Sequence, residues 1–283
     1  MNEYPVFVPF EADHLATVIA VPDGEPRGLA LLSTGVAAPR SHRFQMWSRT
    51  AERLADVGVA SARWEYRGTH DSTGTAHHIM EADIPVDQLR AVARFAQRAV
   101  GVEQVVTVGN CLGAQAGLSL AAELPECVGA VCLLPQVVEP VALRKKVSKG
   151  RAKGLVSSVR SIRAVRRRLV NPLRRLTMTT RSSLSDPLPA ALDHGKIVFL
   201  FDQENMKNQG VSFRLRQIVN QLDPRHRERL DVRVLPVESL DRFGNLETQA
   251  IALETIVEWI DRRFAELATR PEPVTAVPGS EGS

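Results

Sequence analysis

At 283 residues, 44% hydrophobic and 24% charged, the chain is long and apolar enough to bury a full core, which excludes an intrinsically disordered protein. No stretch approaches the ~20 apolar residues that a membrane-crossing helix needs. The three cysteines show neither metal spacing nor a disulfide framework. The net charge of +4 is laid out unevenly: residues 144–181 hold fourteen Lys and Arg without one Asp or Glu, so the body of the chain is acidic.

In chain order, the start, Met1-Asn2-Glu3-Tyr4-Pro5, has neither the basic opening nor the apolar run of a secretion signal, and a cytoplasmic protein is expected. Residues 6–10 and 16–21 read as two short strands forming an antiparallel hairpin at a sheet edge. Residues 28–34 form a buried strand that runs into a Gly-containing loop at 35–41, and a helix is predicted over 45–57. A strand over 59–66 ends in Arg67-Gly68-Thr69-His70-Asp71-Ser72. Helical spacing over 82–100 precedes the apolar strand 104–108, a helix over 114–123 and a strand over 128–134 that contains Cys132, with Cys127 just before it. The alternation resumes with strand 196–201, helix 213–222, strand 230–235 and helix 246–268. Strands alternating with helices imply a mostly parallel sheet covered on both faces. Between residues 140 and 192 lies an insertion in which Leu155, Val159, Ile162, Val165, Leu169, Leu173 and Leu176 recur at three- and four-residue steps among arginines. It is expected to be a basic helical cap, divided or kinked at Pro172. The Pro-, Gly- and Ser-rich tail 270–283 reads as disordered.

The chemistry centres on Gly109-Asn110-Cys111-Leu112-Gly113, between an apolar strand and a helix. Glycines on either side of a potential nucleophile allow the tight strand-to-helix turn that presents it. A thiol there sits at a helix N-terminus, where the dipole favours thiolate. Cys127 and Cys132 read as core residues.

Element order and motifs together resemble the α/β-hydrolase superfamily, over about residues 5–268. The elbow carries cysteine where the family usually has serine. Arg67-Gly68-Thr69-His70-Asp71-Ser72 resembles the family's R-G-x-G-x-S loop after the fourth strand, with His70 in place of the second glycine. The chain is especially similar to bacterial Cys-elbow members of the serine-aminopeptidase-like group, in which a strand end such as Leu134-Pro135-Gln136 precedes an Arg-rich cap. The resemblance implies an α/β-hydrolase fold with a cap between the sixth and seventh strands. It implies Cys111 as nucleophile, the Leu112 N–H and a Val36 N–H as oxyanion donors, Gln136 beside them, and Asp202 as the triad acid. At the position of the triad histidine stands Arg242, and no histidine follows His226.

Three readings of that departure stay open. In the first, a histidine from elsewhere activates Cys111: His70, in the loop after the fourth strand that can approach the top of the sheet, or His42, in the loop beside the oxyanion hole. Alternatively no base is needed, because cysteine is nucleophilic near neutral pH and Arg242 with the helix dipole can hold its thiolate. That suits acyl thioesters, whose leaving thiolate needs no proton. In the third reading the scaffold binds without turnover. Cys-elbow relatives include thioesterase-like and Dieckmann-type cyclising enzymes of secondary metabolism, so hydrolysis, acyl transfer and cyclisation all follow from the resemblance. The basic cap is expected to draw in an acidic acyl carrier protein or coenzyme A; no nucleic-acid motif is present, and no cofactor is called for. Adjacent His77 and His78 lack the ligand pattern of a metal site, and His14, His194 and His226 read as solvated.

Overall fold

The structure, a computed structural model, describes residues 1–35, 38–76, 84–137, 184, 186–240 and 243–269. Eight strands form one sheet: β1 (Asn2–Phe10), β2 (Asp13–Val21), β3 (Leu29–Ser33), β4 (Ala60–Trp64), β5 (Val105–Asn110), β6 (Cys127–Leu133), β7 (Lys196–Phe201) and β8 (Leu230–Val234). Their spatial order is β1-β2-β4-β3-β5-β6-β7-β8. The β1–β2 and β2–β4 pairs are antiparallel and the others parallel, so β3 to β8 end at one edge. The expected hairpin is therefore present. Pro5 and Pro9 lie in the edge strand β1, where a missing N–H breaks no ladder if it faces outward.

The helices are α1 (Met46–Asp56), α2 (Val86–Val100), α3 (Leu112–Glu123), α4 (Pro187–His194), α5 (Gln203–Lys207), α6 (Gln209–Gln221), α7 (Pro224–Arg229) and α8 (Leu246–Ala268). The parallel strands are apolar at consecutive positions because both faces are buried. In β7, Ile197, Phe199 and Phe201 belong to the same buried cluster as Leu89 of α2, Leu118 of α3 and Leu215 of α6. Val198 and Leu200 belong to a second cluster, with Trp47 and Leu54 of α1 and Ile256 and Ile260 of α8. The two-residue period of the strand thus sorts the helices into two layers.

Leu188, Ala191 and Leu192 of α4, in the span 140–192 that the sequence reading gives to the cap, are buried in the same core cluster as α3. Pro187 and Pro189 make this short run resemble a loop, although a proline in the first turn removes no helical hydrogen bond. The basic stretch 144–181 and the tail 270–283 lie outside the described residues.

Candidate active site

The ends of the parallel strands meet where β5 passes into α3. Cys111, between the two elements, has φ 52° and ψ −118°, a conformation that L-residues rarely adopt and that raises the energy by about 1 kcal/mol or more. Its N–H donates to the Leu133 carbonyl at 3.2 Å, and its own carbonyl accepts from Ala114 N–H at 3.2 Å. The two glycines make the turn sterically possible. A Cβ on Gly109 would fall inside the Gly113 carbonyl, and one on Gly113 would lie 2.5 Å from the Ser33 oxygen. Cys111 is exposed, and Gln136 Nε2 lies 3.5 Å from its sulfur. Leu112 and Gly113 occupy the first positions of α3, whose N–H groups have no acceptor within the helix, and no side chain caps them.

Backbone strain concentrates around this point. Eight non-glycine residues have positive φ among those described: Glu11, His42, Phe44, Gln45, His70, Cys111, Leu134 and Phe243. Glu11 is in the β1–β2 hairpin. The other seven follow the C-terminal ends of β3, β4, β5, β6 and β8. Such strain persists only where surrounding structure enforces it, and it gathers at functional sites.

The loop after β3 is held by the end of β4. Tyr66, buried, donates its hydroxyl to the Thr34 carbonyl at 3.0 Å. Burial, and secondarily the charge of Cys111 when it is a thiolate, push the Tyr66 phenol well above its ordinary range. Glu65, also buried, accepts from Arg40 N–H at 3.2 Å, from the Arg40 guanidinium at 2.8 Å and from Asp71 N–H at 3.0 Å. Ser72 accepts from Ala16 N–H and donates to the Glu65 carbonyl, so this motif serine is a fold contact. Gln249, fully buried in α8, donates to the carbonyls of Arg43 and Phe243 and ties the loops after β3 and β8 together.

The residues expected to activate Cys111 are distributed differently. His42 is buried, with its ring 5.2 Å from Phe243 and 5.7 Å from Trp47, and its Nδ1 has no partner among the described residues. Burial, with help from the neighbouring Arg43 charge, pushes its pKa down to about 4, so it is neutral at pH 7. His70 is exposed and makes no hydrogen bond among the described residues. Asp202 is fully buried; Oδ1 accepts from the Asn205 N–H and side-chain amide, and Oδ2 accepts from Leu240 N–H at 2.6 Å. It caps α5 and pins the loop after β8. Its partners in the described part are thus amides, and the sulfur's side-chain partner there is Gln136. Val36 and Arg242, and with them His77 and His78, lie outside the described residues. His226 differs from its expected solvated state: its ring stands 3.0 Å from both Asp193 and Asp223, remote in sequence from the elbow. His14 and His194 are exposed. No group of three His, Cys, Asp or Glu is placed to hold a metal among the described residues, and no helix there is long and apolar enough to cross a membrane.

No protein-family model and no curated protein matches the chain. Solved structures do. Est1E from Butyrivibrio proteoclasticus, solved with ferulic acid, superposes with a TM-score of 0.63 at 14% identity, covering 92% of this chain and 99% of that one. The α/β-hydrolase GrgF from a Penicillium species gives 0.63 at 14% identity, over 94% of this chain and 100% of its own. A proline iminopeptidase from Mycobacterium smegmatis gives 0.59 at 12%, over 93% and 100%. With the strand order and the β5–α3 elbow, these fix the architecture. The chain has the α/β-hydrolase fold.

At the ends of the parallel strands the structure brings Gln136 beside Cys111, which Leu112 follows at the start of α3. It leaves His70 apart in solvent and His42 buried against Phe243. Sequence reasoning missed Glu65 and Tyr66. They stand immediately before Arg67-Gly68, so a motif read from Arg67 onward stops one residue short of them.

Proposed function

We propose that the chain is an acyl-transfer enzyme acting on acyl thioesters through a covalent intermediate on Cys111. One observation carries this reading. An exposed thiol is held at a strained strand-to-helix apex beside uncapped helix N–H groups, while Asp202 is committed to main-chain and Asn205 amides and no described imidazole bonds to the sulfur. With no base bonded to the sulfur among the described residues, a substrate whose leaving group departs unprotonated is favoured, which selects thioesters over esters and amides.

In this mechanism the Cys111 thiolate adds to the thioester carbonyl carbon. The electron pair moves to oxygen, which Leu112 N–H receives together with a second N–H from the loop after β3, for which the family resemblance points to Val36. Collapse of the adduct expels the substrate thiolate and leaves an acyl group on Sγ. A nucleophile within the acyl group, an amine or water then attacks that carbonyl and frees Cys111, giving cyclisation, transfer or hydrolysis. Gln136 Nε2 is placed to donate to the sulfur between turnovers. The basic stretch 144–181 is proposed to recruit the thioester on an acidic carrier protein or as coenzyme A. A scaffold without turnover would have no need for seven strained residues at the strand ends.

Intact-mass measurement with a panel of short acyl-pantetheine thioesters tests the reading. An acyl mass shift or thiol release is expected in the wild type and absent from Cys111→Ala. A folded wild type that no thioester acylates, while its Cys111 still alkylates, would leave the scaffold reading in its place.

A further inference from the structure

The end of β6 is fastened on both sides. The Leu133 carbonyl accepts from Cys111 N–H at 3.2 Å, which ties it to the elbow, and Leu134 N–H donates to the Leu200 carbonyl of β7 at 2.9 Å. The chain then turns at Leu134, whose φ of 47° is a left-handed conformation that leucine holds only where its surroundings enforce it. Pro135 and Val137 are buried, so the main chain is anchored on either side of Gln136, which is exposed. This turn delivers one contact. Gln136 Nε2 lies 3.5 Å from Cys111 Sγ, and among the described residues the side chain has no other partner. A primary amide carries two N–H donors on that nitrogen. Beside a nucleophilic sulfur it can therefore receive negative charge without taking up or releasing a proton.

We propose that Gln136 is a catalytic residue whose amide follows the negative charge of the reaction, from the Cys111 thiolate to the oxygen of the acyl adduct. The inference rests on the acyl-transfer reading and deepens it by naming a side chain that serves sulfur and oxygen in turn. In the free enzyme an N–H of Nε2 donates to the thiolate, and a donor there favours the charged sulfur over the thiol. When the sulfur lone pair forms the S–C bond, the carbonyl π pair moves to oxygen, which then stands two bonds from Sγ. A donor already in contact with the sulfur reaches that oxygen by a small rotation of a side chain that nothing else holds. Collapse restores the carbonyl, breaks the bond to the substrate thiolate and leaves a neutral thioester on Sγ. No proton leaves the amide at any step.

Two reactions of the same sulfur test both halves of this role. Carbamidomethylation by iodoacetamide needs the thiolate but displaces iodide at a tetrahedral carbon and builds no oxyanion. Acylation by an acyl-pantetheine thioester needs the thiolate and builds one. Gln136→Met keeps the side-chain length and removes the donors, whereas Gln136→Glu keeps length and acceptor and sets a negative charge there. The position is exposed, so both variants should fold, which thermal melting checks. Each rate is followed against pH. The midpoint of the alkylation curve should move up in both variants, by about one pH unit in Gln136→Glu, where like charges meet. On the plateau, where every variant is thiolate, alkylation should not fall, because an unheld thiolate is somewhat the better nucleophile. Acylation on that plateau should fall about 100-fold, the effect of losing one oxyanion donor. Unchanged midpoints, unchanged plateau acylation, or an equal fall of both plateau rates overturns the assignment. If the wild type alkylates normally but is never acylated, the acyl-transfer reading fails and the oxyanion half of the role goes with it. Unchanged midpoints would then remove the hold on the thiolate as well.

Discussion

Two neighbouring strands each lead a cysteine into a different chemical world. Cys111 stands one residue beyond the end of β5, exposed, on a strained backbone. Cys127 and Cys132 lie within β6, directly paired with β5: Cys132 is opposite Gly109, and Cys127 opposite Val105. Both β6 thiols are buried and donate to carbonyls, Cys127 to Gly129 and Cys132 to Ala114. Burial pushes the Cys127 thiol up to about 12 and the Cys132 thiol higher still. Identical side chains thus differ through placement alone. Within the sheet each thiol donates to a carbonyl and behaves as a small apolar residue; past its edge the thiol is exposed at the start of α3.

The largest expected contrast is in reactivity. At pH 8 a thiol with a pKa near 12 is ionised about one part in ten thousand, and burial slows reagent access further. Iodoacetamide under native conditions should therefore modify Cys111 alone, with Cys127 and Cys132 labelled only after unfolding. Peptide mapping showing comparable labelling of a β6 thiol in folded protein would break the comparison.

Next comes the turn that lifts Cys111 out of the sheet. In Gly113→Ala the new methyl meets backbone on β3, 2.5 Å from the Ser33 oxygen and 2.8 Å from the Thr34 oxygen, and no flexible side chain can move aside. A loss of roughly 3 kcal/mol is expected from the urea midpoint, with acylation lost as well. A wild-type midpoint would mean that α3 does not approach β3 as described.

His42 sharpens the comparison along another axis, since it too sits at the strand ends yet is buried like the β6 thiols. Its pKa falls from 6.5 to about 4, first through burial and then through Arg43. Between those values the unfolded chain binds the proton that the folded chain refuses. Stability from this group is therefore complete above pH 6.5 and is lost as pH falls toward 4. The whole contribution is roughly 3 kcal/mol. His42→Phe should flatten that limb of a stability-against-pH curve while leaving the limb above pH 7 in place. An unchanged acid limb would show that other groups carry it.

How much of this was legible beforehand follows the same division between sheet and edge. Residues 196–201 and 246–268 were bounded correctly because uninterrupted apolar runs and helical spacing leave little choice of element. The elbow was legible because two glycines flank the nucleophile within five residues, and Gly109 is demanded by the Gly113 carbonyl only four positions on. Glu65 and Tyr66 were not, since their partners Thr34, Arg40 and Asp71 include residues some thirty positions away that only the β3–β4 pairing brings near. Nor does any compositional sign announce that Phe44, Leu134 and Phe243 take positive φ. His226 misled for a similar reason: its carboxylate partners come from α4 and from the cap of α7, and its own segment reads as polar surface.

The smallest expected effect is the most direct test of strain at the nucleophile. Cysteine at φ 52°, ψ −118° raises the folded-state energy, whereas glycine adopts that conformation without a Cβ clash. Against this gain stands the greater freedom of glycine in the unfolded chain. Cys111→Gly is therefore expected to raise stability by about 1 kcal/mol while abolishing acylation. Cys111→Ala keeps the Cβ and should stay within about 0.5 kcal/mol of wild type. Cys132→Gly, at a relaxed and fully packed position in β6, should instead lose about 2 kcal/mol, because it removes a buried side chain and adds backbone freedom. Opposite signs for the same substitution on adjacent strands would show that the fold stores strain at Cys111 in order to present it. Destabilisation at both positions would make Cys111 an ordinary packed residue, and the case for a nucleophile built into the turn would lose its energetic support.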